Sequence, residues 1–344
     1  MEATAGSGPG RKPAMTVKDI ARVAEVSPMT VSRVLSGGKN VRPALREHVE
    51  RVIAEVGYHR NENARSLRPG QRSGLVGVMI TNIGNPYYAG VVQGIEQVVA
   101  ATGRRILVGT TNEDGDLERQ LLSDFLGRQV EGLIVVPVGQ DGERFTAARL
   151  HDAPLVLASR TVEHAPADAV LIDDVHGARE ATSIMLDEGH RRIAFLGNKV
   201  TVSTGQRRLA GFRSAFAASG TDPDERLVVL ELQDADAAER AMRELLLLPD
   251  PPTAVFAANN RISVGAIRAI ARGRADGSVT SPPRLFAFDS FDFADMAPIP
   301  LSVIDHDPAE LGRVAARMLL SRLDGSADGQ APRLVELPVH IVHH

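Results

Sequence analysis

The 344-residue chain contains no cysteine, which excludes disulfides, thiolate chemistry and cysteine-ligated zinc together. No stretch approaches the roughly 18 apolar residues that a bilayer crossing requires. The first residues are rich in glycine and proline where a secretion signal would carry an apolar core, so the chain is expected in the cytoplasm, with no membrane partner. Catalytic signatures are missing as well: there is no G-x-S-x-G elbow, no H-E-x-x-H and no P-loop. No enzymatic activity, catalytic residue, metal site or cofactor is therefore expected. Asp173 and Asp174 are adjacent, which suits capping the next helix better than acting as a catalytic pair. His340, His343 and His344 lie at the terminus, within and just after the strand-like VELPVHIV, and are read as a frayed strand end rather than a metal site.

What is present is ordinary in bulk and uneven in distribution. Hydrophobic residues make up 43% and charged residues 24%, as in a soluble globular chain, and the length suggests two or three domains. The net charge of −4 hides an asymmetry: residues 1–72 hold 13 Lys+Arg against 7 Asp+Glu, whereas the remainder holds 26 against 36. The front of the chain is thus basic and the bulk acidic. A basic segment is where nucleic-acid phosphate would bind, although a solvated charged face would read the same way on charge alone.

Residues 1–14 are small, polar and Gly/Pro-rich, the pattern of a disordered tail. From Thr16 the pattern changes. Thr16 supplies an N-cap oxygen with Asp19 three residues on, a capping-box pattern, and Ile20, Val23 and Ala24 follow at helical spacing. Ser27 then Pro28 is a second helix start. So short a connection forces a steep crossing, the arrangement in which a second helix enters a DNA major groove. On that helix Pro28, Met29, Thr30 and Arg33 are candidates for the groove side, with Ser32 and Asn40 beside them, while Val31, Val34 and Leu35 pack inward. Arginine suits guanine, and threonine can meet a base edge or a phosphate. Pro28 and Met29 offer apolar contact to thymine methyls, or simply start the helix. A third helix is expected from Pro43 to Val56, stopped by Gly57.

TVKDIA at 16–21, TVSRVL at 30–35 and NENARSLR at 61–68 together resemble the DNA-binding head of the lactose-repressor (LacI/GalR) family of transcription regulators. The resemblance implies a helix-turn-helix domain at 15–60 and a hinge helix and linker at 61–72. Asn61, Ala64, Arg65 and Leu67 would belong to that hinge, with Leu67 as a minor-groove wedge. Arg42 departs from the family's usual serine cap and Arg60 from its common proline.

Beyond Gly74, apolar strand-like runs alternate with helix-length amphipathic stretches. Strands are expected at 74–80, 105–110, 132–138, 154–159, 169–174, 192–197, 227–232, 253–258, 284–289 and 301–305, with helices at 87–102, 116–128, 175–188, 206–219 and 235–248. Such alternation implies parallel sheets covered on both faces, and this many strands suggests two α/β lobes across 73–344. Ligands in such sheets bind beyond the carboxyl ends of the strands. The polar residues there are Asn85, Tyr87, Tyr88, Ser159, Arg160, Asp173, Asp174, Arg208, Asn259, Asn260, Asp289, Asp305 and His306. Each is also an ordinary cap or turn residue, but together they would suit a polyhydroxylated solute.

These lobes are similar to the periplasmic-binding-protein-like core of the same family. Arg208 in RLAGF, Asn259 in AANN and Asp289 in FAFDS stand at positions that hold the effector in that family, with Tyr87 or Tyr88 of NPYY as an aromatic wall. Ser159 replaces a frequent aspartate, His306 a common glutamine and Asp234 a stacking aromatic. The resemblance implies a transcriptional repressor, a homodimer on palindromic double-stranded operator DNA, governed by a small-molecule effector, most simply a sugar. A nucleobase or other metabolite is the alternative effector, and an exported solute receptor the alternative protein. No leucine heptad follows the last strand, so a dimer without a tetramer-forming tail is expected.

Overall fold

The computed structural model describes residues 15–35, 41–58 and 73–344, in two compact units divided between Gln71 and Arg72. The expected tail at 1–14, Asn40, and the hinge residues Asn61, Ala64, Arg65 and Leu67 lie outside the described residues.

The first unit contains α1 (Val17–Val23), α2 (Pro28–Leu35) and α3 (Pro43–Glu55). Thr16 and Asp19 close the expected capping box: the Asp19 amide donates to Thr16 Oγ1 and the Thr16 amide donates to Asp19 Oδ2. The turn between α1 and α2 reverses through Glu25 at φ +54°, and the Val26 amide donates to the Ala21 carbonyl. Ile20, Ala21, Ala24, Val31, Val34, Val49 and Val52 form the small buried core. α3 ends one residue before the expected Val56, which is its C-cap, and Gly57 follows at φ +61°. Arg42 precedes α3 with no side-chain capping bond, as its replacement of a capping serine foretold.

The second unit consists of two six-stranded sheets, each covered by helices. The first lobe has strand order β11-β5-β4-β3-β1-β2, all parallel, from β1 (Leu75–Ile80), β2 (Arg105–Thr110), β3 (Gly132–Val135), β4 (Leu155–Ala158), β5 (Asp168–Ile172) and β11 (Leu334–Leu337). The second has order β12-β10-β9-β8-β6-β7, from β6 (Ile193–Leu196), β7 (Val228–Val229), β8 (Ala254–Ala257), β9 (Arg284–Phe288), β10 (Leu301–Asp305) and β12 (His340–His343). Its strands are parallel except for β12, which runs antiparallel to β10. The helices are α4 (Pro86–Ala100), α5 (Gly115–Gly127), α6 (Asp174–Asp187), α7 (Ser203–Ala218), α8 (Ala235–Leu246), α9 (Asn260–Ala275) and α10 (Pro308–Leu323). Helices on both faces explain why the central strands read as unbroken apolar runs: Val76, Val78, Met79 and Ile80 of β1 are all buried.

Close helix packing depends on glycine. α4 meets α10 at Gly94 and Gly312, where an added Cβ would fall 1.9 Å from the Ala309 carbonyl oxygen and 2.1 Å from that of Val91.

Some expectations required correction. The strand expected at 227–232 pairs only at Val228–Val229, because Glu231 turns left-handed at φ +64° and breaks the ladder. That expected at 132–138 ends at Val135 ahead of Pro137, which has no amide to donate. That expected at 169–174 ends at Ile172, where Asp173 turns to cap α6 by accepting from the His176 amide at 3.2 Å. The terminal histidines are not frayed: His340–His343 forms β12, with His343 Nδ1 2.7 Å from Ser302 Oγ.

Candidate functional site

On the helix-turn-helix, Ser27 caps α2, its Oγ accepting from the Thr30 amide at 3.1 Å and lying 2.9 Å from the Thr30 hydroxyl. The cap fixes the helix entry and commits the Thr30 side chain. Val31 and Val34 point into the core, while Pro28, Met29 and Arg33 are exposed and Thr30 and Ser32 half-buried. Arg33 Nη2 lies 3.5 Å from Met29 Sδ, so the guanidinium is drawn toward the start of α2. The outward row thus combines an apolar pair with one cation. Thr16 sits at the α1 cap, its hydroxyl donating to Asp19.

In the second unit a cavity of about 300 Å³ opens between the lobes at the carboxyl ends of the strands. Asn85, Tyr87, Tyr88, Ser159, Arg160, Arg208, Asn259 and Asp289 all line it. His306 does not: it is buried behind the lining, Nε2 3.1 Å from Asp289 Oδ1 and edge-on to Tyr87 at 5.5 Å. It positions the carboxylate rather than touching the cavity.

The centre is an ion cluster. Arg208 donates through Nε to Asp174 at 2.8 Å, through Nη1 and Nη2 to the two Asp289 oxygens at 3.1 and 3.2 Å, and through Nη1 to the Ala258 carbonyl at 2.6 Å. Its guanidinium lies 3.6 Å from the centroid of Phe288. Burial opposes the charge on Arg208, but Asp289 and Asp174 outweigh it and raise its pKa above the ordinary arginine value. Burial would also raise the Asp289 carboxyl, yet Arg208 and then His306 hold it down at about 2. Asp174 goes the other way: burial outweighs Arg208 and pushes its pKa up. Asp174 is thus a fully buried partner of Arg208, not the capping residue the sequence suggested; Asp173 alone caps.

Arg160, on the opposite wall, is equally committed. It holds Glu113 with both terminal nitrogens, at 2.8 and 2.7 Å, and donates to the Tyr88 hydroxyl at 3.2 Å. The Tyr87 hydroxyl donates to Ser159 Oγ at 2.8 Å, and desolvation drives its pKa well above the usual tyrosine range. Ser159 and Asp289 follow β4 and β9, and both are left-handed, at φ +65° and +66°. Non-glycine residues in that region carry strain of order 1–3 kcal/mol, typical of side chains aimed into a site.

Asn85 and Asn259 cap α4 and α9 through Oδ1, accepting from the Tyr87 and Ile262 amides. Asn85 also exchanges two hydrogen bonds with the buried Asn260 of the other lobe, at 2.8 and 3.3 Å. Elsewhere across the cleft, Gln140 Nε2 donates to the Thr201 carbonyl at 2.8 Å and the Thr161 amide donates to Ser203 Oγ at 3.3 Å. Glu113, Asn198, Lys199 and Thr204 also line the cavity, although the sequence reading passed over them. The signal was available, since the loops after RILVGT and RIAFLG are strand carboxyl ends like the others. Asp234 lines the cavity while capping α8, its Oδ1 accepting from the Ala237 amide at 2.8 Å. Among the described residues, no group of three or more histidine, cysteine, aspartate or glutamate side chains could hold a metal ion.

With this geometry the comparisons with known proteins agree. Residues 16–61 match the family model of bacterial regulatory proteins, lacI family. Residues 73–344 match that of periplasmic binding proteins and the sugar-binding domain of the LacI family. The chain is 30% identical over 308 residues to the ribose operon repressor of Haemophilus influenzae, covering 90% of this chain and 92% of that protein. It is 31% identical over 336 residues to the HTH-type transcriptional regulator CelR of Thermobifida fusca, covering 95% and 96%. Among solved structures, it resembles a CelR–cellobiose complex at 30% identity and TM-score 0.69, covering 96% of this chain and 99% of that one. The lac repressor dimer bound to operator and an anti-inducer shares the fold at 24% identity and TM-score 0.81, covering 96% and 98%.

Proposed function

Because the chain belongs to the LacI family of bacterial regulatory proteins, we propose that it is a sequence-specific transcriptional repressor whose operator binding is governed by a small polyhydroxylated effector held between the core lobes. A homodimer places two helix-turn-helix units on a palindromic operator, with the α2 side chains Met29 and Arg33 in the major groove. The protein works in the cytoplasm as a regulator, not an enzyme. The observation that carries this reading is the presence, in one chain, of a helix-turn-helix and an interlobe cavity with mixed hydrogen-bonding groups. A receptor would need only the second.

The polyol reading is supported by the chemistry of the walls. Arg208 and Asp289 form a rigid donor and acceptor surface, and the Asn259 side-chain nitrogen makes no hydrogen bond among the described residues. A planar base would need a flat stacking face. The aromatic residues lining the cavity, Tyr87 and Tyr88, stand edge to face at 4.9 Å with both hydroxyls engaged. Among relatives, the structure of CelR in complex with cellobiose fits the same class.

The test is fluorescence anisotropy of the full-length chain with fragments of its own promoter region against unrelated DNA, at one fixed salt concentration. A thermal-shift screen of sugars accompanies it, since a bound ligand raises the melting temperature by mass action. Specific binding that a stabilising sugar alters is expected. Equal affinity for every fragment would remove the operator reading.

A further inference from the structure

The start of α7 differs from the other helix starts around the cavity. α4, α6, α8 and α9 open on Asn85, Asp173, Asp234 and Asn259, each accepting a backbone amide of its own first turn. α7 opens on Val202, which has nothing to cap with. The amides of Ser203, Thr204 and Gly205 find no acceptor among the described residues. Asn198 Oδ1 lies against this turn, where an added Cβ on Gly205 would fall 2.4 Å from it, but it makes no hydrogen bond and so does not cap the helix.

Two further observations point the same way. Thr204 lines the cavity at only 9% exposure, and its hydroxyl has no hydrogen-bond partner among the described residues. Lys199 lines the same cavity and forms no ion pair among them; Glu113, whose charged form the lysine favours, already has both oxygens on Arg160. Arg261, also at the lining, likewise forms no ion pair there.

Free amides at a helix start, an idle hydroxyl and unpaired cations make a surface of donors. A sugar hydroxyl needs to donate as well as accept, whereas a phosphate or carboxylate oxygen only accepts, and the positive end of a helix dipole favours its charge. Two acceptors stand nearby, Asp234, whose Oδ1 accepts from the Ala237 amide in capping α8, and Asn198, whose Oδ1 is unpaired; the donors outnumber them. We propose that this end of the cleft is an anion subsite, so that the effector is a polyol bearing a phosphate or carboxylate group. The anion sits against Lys199, Thr204 and the first turn of α7, while the hydroxyls meet Arg208, Asp289 and Asn259. This rests on the reading of the cleft as the effector site.

The experiment is calorimetric titration of the full-length chain with glucose, glucose 6-phosphate and glucuronate. It is joined by thermal shifts with inorganic phosphate against chloride at equal ionic strength, and both are repeated on Lys199→Gln and Thr204→Val. An anionic sugar should bind about tenfold or more tighter than its neutral parent, and Lys199→Gln should erase that preference with little effect on the parent. Whichever of the phosphate and the glucuronate is favoured identifies the anion. Inorganic phosphate alone should stabilise the wild type more than either variant. A neutral sugar binding as tightly as its anionic forms, or a phosphate effect unchanged in both variants, overturns the subsite and leaves the polyol reading standing. Operator release by a nucleobase, with no sugar of any kind bound, overturns both.

Discussion

Asp289→Asn replaces one carboxylate oxygen by an amide at nearly constant volume, and the cluster around it sets the cost. The native carboxylate holds both terminal nitrogens of Arg208, lies against His306 Nε2, and is buried. Against the opposing effect of burial, Arg208 and then His306 lower its pKa from 3.8 to about 2. A carboxyl depressed in the folded state contributes stability above its unfolded pKa and loses it as pH falls through the folded value. A shift of that size corresponds to about 2 kcal/mol, fully present near pH 7 and fading between about pH 4 and pH 2. Asp174, on the same guanidinium, has the opposite sign, because burial outweighs Arg208 and raises its pKa. A carboxyl whose pKa is raised in the folded state adds no such stability toward neutral pH, so Asp174→Asn should cost less than Asp289→Asn. Urea unfolding followed by far-UV ellipticity measures both, the chain having no tryptophan to report by fluorescence. The Asp289→Asn deficit should be about 2 kcal/mol near pH 7 and narrow toward about pH 3. A deficit independent of pH, or a larger one for Asp174→Asn, would refute this account of the cluster.

Thr16→Ala removes the hydroxyl half of the α1 capping box, leaving the residue-16 amide still able to donate to Asp19, and should destabilise the first unit by about 1 kcal/mol, seen as earlier melting of that unit with the core transition unmoved. Arg33→Ala should weaken binding to the specific operator more than to unrelated DNA in an anisotropy titration and leave effector affinity unchanged. Gly94→Ala drives a Cβ against the Ala309 carbonyl of α10, so helix separation should cost about 1–3 kcal/mol, read as a lower core melting temperature. Asn260→Ala breaks the reciprocal amide pair with Asn85 and should change effector affinity without altering operator binding by the effector-free protein; calorimetry and anisotropy separate the two.

What could be read from the sequence followed from local chemistry. Thr16 and Asp19, and Ser27 and Pro28, announce helix starts because a cap is a contact within three residues, and each of these helices begins there. The apolar strands declared themselves because both faces of the sheets are covered. Long-range partnership was not legible. Nothing near Asp174 in sequence reveals that Arg208, 34 residues away, takes its carboxylate, so it read as a cap. Arg160 looked like a hand for the ligand because Glu113, 47 residues earlier, was invisible as its partner. His306 stands one residue past β10 and by that rule should face the cavity, but Asp289 comes between. β12 was read only as a frayed strand end for the same reason: HIVH, with two histidines in four residues, carries no periodic signal, and its pairing with β10 orders it.

The chain passes between the lobes three times, after β5, after β10 and after β11. Asp174 begins α6 directly after the first passage, and His306 stands in the second, two residues before α10. α6 packs on α7 in the second lobe and α10 on α4 in the first, so the first two passages each lead into a packed helix pair. Arg208 and Asp289, the groups proposed to grip the effector, are bonded to these two crossover residues, Arg208 to Asp174 and Asp289 to His306. Anything that displaces Arg208 or Asp289 therefore pulls on the segments about which the lobes can bend, while Asn85 and Asn260 join the lobes at the cavity itself. A ligand can shift a conformational balance only through a difference in its contacts between the two states. The proposed effector contacts, Arg208 and Asp289, adjoin these crossovers through Asp174 and His306, which is where a difference in ligand contacts would reach the segments joining the lobes.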